Sequence, residues 1–204
     1  MDIRVTIEAV YVLGPLFLAY AVLVTVRARA GRFGWTGSHA ALRLGTAVYG
    51  AAVVTLTLFP LNIIWGIYQN QMPWTNQLNF DVARIDPSAI PNIAMLVPLG
   101  FVLPLVSRRA TSLARVTLMA ALTSLTIETS QLFEYIIFNQ GRLVDINDLL
   151  SNTLGGMIGY GVLRALLRQS SIRTFFEGVA LPGAAVAPAA LSGRTAAAPT
   201  YTNI

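Results

Sequence analysis

The sequence predicts an all-α membrane protein: a polytopic bundle of about five transmembrane helices, with the N-terminus outside and the C-terminus in the cytoplasm. Three observations predict this class. Apolar residues make up 55% of the 204 residues and charged residues only 11%, whereas about 25% charged is usual in a soluble domain. Long apolar stretches recur along the chain, and most arginines lie beside alternate ends of those stretches.

Five stretches are long enough to cross a hydrocarbon core of about 30 Å as helices, which takes roughly 20 residues each. They cover residues 5–26, 44–64, 90–106, 112–138 and 149–167. We interpret the first as a retained anchor, since it is too long for a cleavable signal peptide and its basic cluster follows it. In the third, Pro98 removes a backbone hydrogen bond and lets the helix bend. The longest outer loop, residues 65–89, carries aromatic residues that favour an interfacial belt, or alternatively a lid over a pocket.

The orientation follows from the basic residues, because cytoplasmic loops accumulate positive charge. All 14 are arginines, and 11 of them lie between the first and second stretches, at the junction of the third and fourth, or at and after the end of the fifth. Only Arg4, Arg84 and Arg142 fall on the other side. We therefore attribute the pI of about 10.1 to arginines that set the topology and also contact anionic lipids, and not to nucleic-acid binding.

We divide the chain into a transmembrane domain, residues 1–170, and a cytoplasmic tail rich in alanine and proline, residues 171–204. The tail has few large apolar residues to bury, so we expect it to be disordered or to lie loosely on the inner surface. A short amphipathic piece at residues 172–176 would lie in the membrane interface. The chain has no cysteine and one histidine, His39, which excludes a zinc site of histidine and cysteine ligands.

Polar residues cluster where apolar sequence is expected. Glu128 and Gln131 lie in the fourth stretch, and the start of the fifth carries Arg142, Asp145, Asp148 and Asn152. A charged group at the centre of a transmembrane helix costs roughly 2.5–3.5 kcal/mol, so it persists only if it pairs, is protonated or serves a site. The connection between the two stretches is short, which makes them antiparallel neighbours.

Helical spacing gives each of the two stretches a polar face. On the fourth, residues three and four apart share a face, which aligns Ser124, Glu128, Gln131 and Tyr135 and leaves Glu134 to one side. On the fifth, a helix that begins near Asp145 aligns Asp145, Asp148 and Asn152 with Gly155 and Gly159, which allow close packing. We predict a ligand-binding site in the outer half of the membrane, made of Glu128, Gln131, Arg142, Asp145, Asp148, Asn152 and Asn92.

Structural explanations compete with this site. Asp148 is typical of a helix cap, the glycines are typical of helix packing, and the amides of Gln131 and Asn152 are typical of interhelical hydrogen bonding. Glu128 is the hardest to explain structurally, because it lies near the middle of the membrane. Three carboxylates with one arginine also leave surplus negative charge, which protonation, a bound cation or a positively charged ligand group would relieve.

The quoted residues resemble a known family. Its pattern is matched by Asn92-Ile-Ala-Met-Leu-Val-Pro98-Leu-Gly100-Phe, then by Glu128-x-x-Gln131, and then by Arg142-x-x-Asp145-Ile-x-Asp148-Leu-x-x-Asn152-x-x-Gly155-Gly156-x-x-Gly159-Tyr. The chain thus resembles the VanZ-like membrane proteins, named after an accessory protein for teicoplanin resistance, over residues 91–163. The resemblance implies a small multi-pass protein of the bacterial cytoplasmic (inner) membrane, linked to tolerance of glycopeptides and especially of lipoglycopeptides.

Three functions stay open. The first is an outer-leaflet protein that binds a lipid headgroup or a lipoglycopeptide antibiotic and requires no cofactor. The second is an enzyme acting on a lipid-linked substrate such as a cell-wall precursor, with a divalent cation on Glu128, Asp145 and Asp148, although no catalytic nucleophile is evident. The third is proton-coupled transport through Glu128, which would require a homo-oligomer because the chain has no inverted repeat. Membrane lipids are expected partners in all three.

Overall fold

The computed structural model describes residues 2–68, 72–82, 89–139 and 144–188, and the bundle is helical over most of them. The described residues form six α-helices: α1 (Ala9–Arg29), α2 (Ser38–Leu58), α3 (Ala89–Val106), α4 (Leu113–Phe138), α5 (Ile146–Leu166) and α6 (Ser170–Val179). In length and composition, α1, α2 and α3 are able to cross a membrane. With 26 and 21 residues, α4 and α5 are as long, but they carry the polar residues of the predicted site.

Two short strand pairs were not predicted. β1 (Ile3–Ile7) pairs with β2 (Leu61–Trp65) in antiparallel register, with Ile3 opposite Trp65, so the predicted spans 5–26 and 44–64 extend past their helices into this ladder. The β-branched residues of these strands favour extended backbone. The second pair is parallel and joins β3 (Leu78–Asn79) to β4 (Val144–Asp145).

The closest helix packing is between α3 and α5, which run parallel. A β-carbon built on Gly155 would overlap the carbonyl oxygen of Ile93, and one built on Gly159 would overlap that of Val97. Only glycine permits this approach of two backbones, so the predicted packing role of both glycines is confirmed. The site residues at the start of α5 are thereby held against the start of α3.

α3 remains helical through Pro98, although proline has no amide hydrogen to donate. The hydroxyl of Tyr49 on α2 donates to the carbonyl oxygen of Met95, at 2.8 Å, within the turn that Pro98 interrupts. A polar side chain from a neighbouring helix therefore bonds to backbone in the weakened turn, as the apolar surroundings of a membrane require.

The expected disorder does not hold for residues 171–188. Residues 171–179 belong to α6, and the following segment returns to the end of α3. There the amides of Leu181, Ala185 and Val186 donate to the carbonyl oxygens of Leu105, Ser107 and Pro104 at 2.8–3.1 Å. Helix ends leave carbonyl groups without helical partners, and this segment satisfies them. Ala180 and Ala184 of this segment are also buried, although the weak hydrophobicity of alanine did not suggest burial. Residues 189–204 lie outside the described residues.

An apolar core closes the same end of the bundle, which we call the arginine end. It contains Leu105, Leu163, Leu167, Ala180, Leu181 and Ala184. Beside it, the ring of Trp35 stacks between two arginine side chains, with the guanidinium carbon of Arg27 4.5 Å and that of Arg43 3.9 Å from the ring centre. The opposite end, where α3 and α5 begin, holds the predicted site, and we call it the site end.

Candidate functional site

The polar face of α4 lies inside the bundle. Ser124, Glu128, Gln131 and Tyr135 are each at most 5% exposed, while Glu134 is only partly buried. The predicted alignment of these four side chains is therefore confirmed. Carboxyl and amide groups buried among helices require partners, because an unsatisfied polar group costs roughly 1–3 kcal/mol.

Glu128 is held by the start of α5. Asp145 is the N-cap of that helix, since its Oδ1 accepts from the backbone amide of Asn147 at 2.8 Å. The backbone amide of Asp145 donates to Oε2 of Glu128 at 3.2 Å. The helix therefore begins where the sequence predicted, and the amide of its N-cap residue bonds to the buried carboxyl group of the neighbouring helix.

A cavity of about 210 Å³ lies between α2, α3, α4 and α5 at the site end. Five of the seven predicted site residues line it: Asn92, Glu128, Gln131, Asp148 and Asn152. Across its mouth, Nδ2 of Asn92 donates to Oδ1 of Asp148 at 2.5 Å, which ties α3 to α5. The structure thus brings five of the seven predicted residues around one cavity.

Gln131 is fixed by α2, which sequence reasoning did not assign to the site. Its Nε2 donates to the carbonyl oxygen of Thr57 at 3.1 Å, and Thr57 itself is only 5% exposed. That carbonyl belongs to the last turn of α2, where helices have carbonyl groups without helical partners. Gln131 therefore ties α4 to the end of α2, and it also lines the cavity.

Asn152 carries the one buried side-chain atom without a hydrogen-bond partner among the described residues. The residue is 1% exposed, and its Nδ2 donates to Oγ of Ser124 at 3.0 Å. Its Oδ1 has no partner, although it is buried and the residue lines the cavity.

Asp145 takes a different position from the one predicted. Its carboxylate accepts from Nδ2 of Asn79 at 3.0 Å and from Nδ2 of Asn147 at 2.7 Å, and it does not line the cavity. Asp145 therefore contributes to the site through its backbone amide on Glu128. Arg142, the seventh predicted residue, lies outside the described residues.

The predicted metal ligands do not form a set. Within the described ranges, no group of three or more histidine, cysteine, aspartate or glutamate side chains has a geometry that could hold a metal ion. Glu128, Asp145 and Asp148 were the predicted ligands. The carboxylate of Asp145 instead accepts hydrogen bonds from two side-chain amide groups. The described residues do not fit a divalent cation held by these three carboxylates.

The segment 72–82 covers the site end. The hydroxyl of Tyr135 donates to the carbonyl oxygen of Met72 at 2.6 Å, and Nδ2 of Asn147 donates to that of Asp81 at 2.8 Å. Together with the strand pair at Asn79, these bonds tie the segment to α4 and α5. Sequence reasoning missed Asn79, because nothing in an irregular polar loop indicates which distant residue it will meet. Phe80 and Trp74 on this segment remain exposed, by 72% and 48%.

An apolar groove of about 340 Å³ adjoins the cavity. It is formed by α2, α3 and α4, and it shares Thr57 and Ile127 with the cavity wall. From these shared residues the groove extends towards the arginine end, reaching Tyr49 on α2 and Leu99 on α3. The polar cavity and the apolar groove are thus neighbours that share part of a wall.

A family model described as VanZ/LLP1 matches residues 16–168, which is 153 of the 204 residues and includes every predicted site residue. The curated proteins contain no match to the chain. The solved structures contain none either.

Proposed function

Because this chain belongs to the VanZ/LLP1 family and has helices able to cross a membrane, we propose that it is a membrane protein that binds the headgroup of an amphiphile. The headgroup would occupy the cavity at the site end, and the apolar part of the ligand would follow the adjoining groove. We place the protein in the bacterial cytoplasmic membrane and propose that it contributes to tolerance of teicoplanin-type antibiotics.

The proposed orientation has α1 to α5 crossing the membrane, with the site end outside. It rests on the distribution of arginines: the α1–α2 connection, the α3–α4 connection and the end of α5 all carry them, at the end opposite the cavity. In this orientation the cavity lies near the outer headgroups, and the groove runs from it along the hydrocarbon. A bound lipid would then keep the direction it has in the bilayer.

The observation that carries the proposal is the pair of carboxyl groups, Glu128 and Asp148, on the cavity wall. Carboxyl oxygens accept hydrogen bonds, so they favour a ligand that brings donors. These groups favour a hydroxyl- or amine-bearing headgroup, whereas the negative charge of a phosphate would meet two carboxyl groups.

The size of the cavity limits what enters it. A volume of about 210 Å³ equals that of about seven water molecules at roughly 30 Å³ each, below the ~300–1,000 Å³ of most ligand pockets. A sugar ring or an amino headgroup fits such a space, and a whole glycopeptide does not. We therefore propose that the site takes one polar group of a lipoglycopeptide antibiotic or the headgroup of a lipid-linked cell-wall precursor.

The test combines tolerance with identification of the ligand. We would compare Glu128→Gln and Asn152→Leu with the control Glu8→Gln, which removes an exposed carboxylate on the same side of the membrane. Each variant would be expressed to equal membrane levels in cells lacking the chain, for measurement of the teicoplanin concentration that stops growth. Native mass spectrometry of gently extracted protein would detect any amphiphile that co-purifies.

We expect Glu128→Gln and Asn152→Leu to lose both the co-purifying amphiphile and the tolerance, and Glu8→Gln to keep both. An amphiphile that stays bound to both cavity variants would overturn the assignment of the site. A lost amphiphile with unchanged teicoplanin tolerance would keep the binding site and overturn the link to tolerance.

A further inference from the structure

A second concave surface lies at the arginine end, away from the cavity. It is an open pocket of about 550 Å³ between the end of α5, α6 and residues 185–188. Three arginines line it, Arg164, Arg168 and Arg173, together with one carboxylate, Glu177. The proposed ligand site in the cavity uses none of these residues.

The arginine wall of this pocket is positioned by the turn between two helices. Arg164 lies on the last turn of α5 and Arg168 in the turn that follows the helix, and both side chains line the pocket. Arg173 lies on the first turns of α6, and its Nε donates to the carbonyl oxygen of Leu167 at 2.9 Å. This bond to the end of α5 holds the third guanidinium beside the other two.

The opposite wall is backbone that the bundle holds in place. Ala185 and Val186 line the pocket, and their amides donate to carbonyl oxygens at the end of α3 at 3.1 Å. Small side chains on this wall leave the volume open. The pocket therefore has two walls fixed by hydrogen bonds, which distinguishes it from a patch of arginines on a flat surface.

The charge of the pocket selects an anion. Three arginines and one glutamate give a formal charge of +2. Guanidinium groups bind phosphate oxygens with paired, charge-assisted hydrogen bonds, so a phosphate is the group that this wall fits best. The volume is in the range of roughly 300–1,000 Å³ for ligand pockets, which exceeds the need of a lone phosphate and suits a phosphate with its attached alcohol.

α6 places the pocket at a membrane surface. Its apolar residues Ile172, Phe175 and Phe176 contrast with its polar ones, and Phe176 packs edge-on against Phe101 of α3 with ring centres 5.5 Å apart. Phe175 next to it is 63% exposed, as expected for a side chain that enters the acyl boundary. A helix of this type lies in the plane of the interface, with its charged side at headgroup depth.

We infer that this pocket binds the phosphate of an anionic phospholipid headgroup in the cytoplasmic leaflet. Basic pockets between helices on that side of a membrane are suited to such headgroups. The pocket lies at the opposite end of the protein from the cavity. It selects an anionic group, whereas the cavity favours a hydroxyl or an amine. It therefore stands whether or not the cavity binds an amphiphile.

The experiment uses the full chain in nanodiscs of phosphatidylcholine that contain a minor fraction of phosphatidic acid or phosphatidylglycerol. The affinity for each anionic lipid would be measured by native mass spectrometry for the parent protein, Arg164→Gln/Arg168→Gln and the control Arg108→Gln/Arg109→Gln. The control removes the same charge from exposed residues in the α3–α4 connection, at the same end of the bundle and outside the pocket.

We expect the pocket variant to bind anionic lipid at least about tenfold more weakly, since one charge-assisted hydrogen bond corresponds to about that factor, and the control to stay within about twofold. Glu177→Gln removes the one carboxylate and should bind more tightly, a change that a folding defect would not produce. Equal losses in the two double variants would mean diffuse surface charge and overturn the site. If inorganic phosphate bound at millimolar concentration and the protein showed no preference for anionic lipid over phosphatidylcholine, the pocket would be assigned to a soluble phosphate. That result would overturn the lipid assignment.

Discussion

Replacing Gly159 by alanine is expected to destabilise the protein by separating α3 from α5. A β-carbon at this position would overlap the carbonyl oxygen of Val97 and lie 2.9 Å from the amide nitrogen of Phe101, where ordinary contacts begin at 3.4 Å. Both neighbours are backbone atoms of a packed helix, so no side chain can turn away. The helices must shift by at least the missing 0.5 Å, and overpacking of this kind costs roughly 1–3 kcal/mol.

Gly161 provides the matched control. It lies two residues further along α5, and a β-carbon there would meet nothing within 4 Å. Both substitutions gain the same helix propensity, about 1 kcal/mol, so the difference between Gly159→Ala and Gly161→Ala isolates the clash. The free energy of unfolding would be measured in detergent micelles by denaturant titration with circular dichroism. If the two variants unfolded within about 0.5 kcal/mol of each other, the close approach of α3 and α5 would be refuted.

Three further substitutions test other parts of the structure. Gln131→Leu leaves the Thr57 carbonyl without its donor, and we expect a loss of about 1–3 kcal/mol in the same titration, against almost none for the exposed Thr129→Val. Asn79→Ala removes the bond to Asp145 and should speed hydrogen exchange in residues 78–79 and 144–145, whereas exposed Asn76→Ala should not; equal exchange would argue against the strand pair. Leu181→Ala should lower the free energy of unfolding by about 2–5 kcal/mol, because Leu181 is buried at 9% exposure. A loss as small as that for the exposed Val162→Ala would instead support a tail that lies loosely on the bundle.

Much of the site could be predicted from spacing within one helix or across one short connection. Glu128 and Gln131 share a face because helix geometry fixes residues three and four apart. The start of α5 near Asp145 was also predicted, although the cap is Asp145 and Asp148 lies in the first turn. Gly155 and Gly159 were expected to admit a neighbouring helix for the same local reason. The sequence did not indicate that the neighbour would be α3.

The residues that sequence reasoning missed come from distant parts of the chain. Thr57 enters the site from the end of α2 and Asn79 from an irregular loop, and neither has a periodic pattern that aims it at α4 or α5. The ladder of β1 with β2 joins residues about 60 positions apart, a pairing that local preference does not specify. Residues 180–188 became ordered because carbonyl groups at the end of α3 offered hydrogen-bond partners that composition does not reveal.

The sequence by itself determined that this is a helical membrane protein with buried carboxyl and amide groups on two neighbouring helices. Hydrophobic length and helical period are properties of consecutive residues, so they can be read without knowing the fold. Only the tertiary structure decided which polar atoms were satisfied. It turned the Asp145 carboxylate towards Asn79 and left Oδ1 of Asn152 without a donor beside a cavity. Both outcomes depend on the positions of α2, α3 and the segment 72–82, and contacts across long sequence separations set those positions.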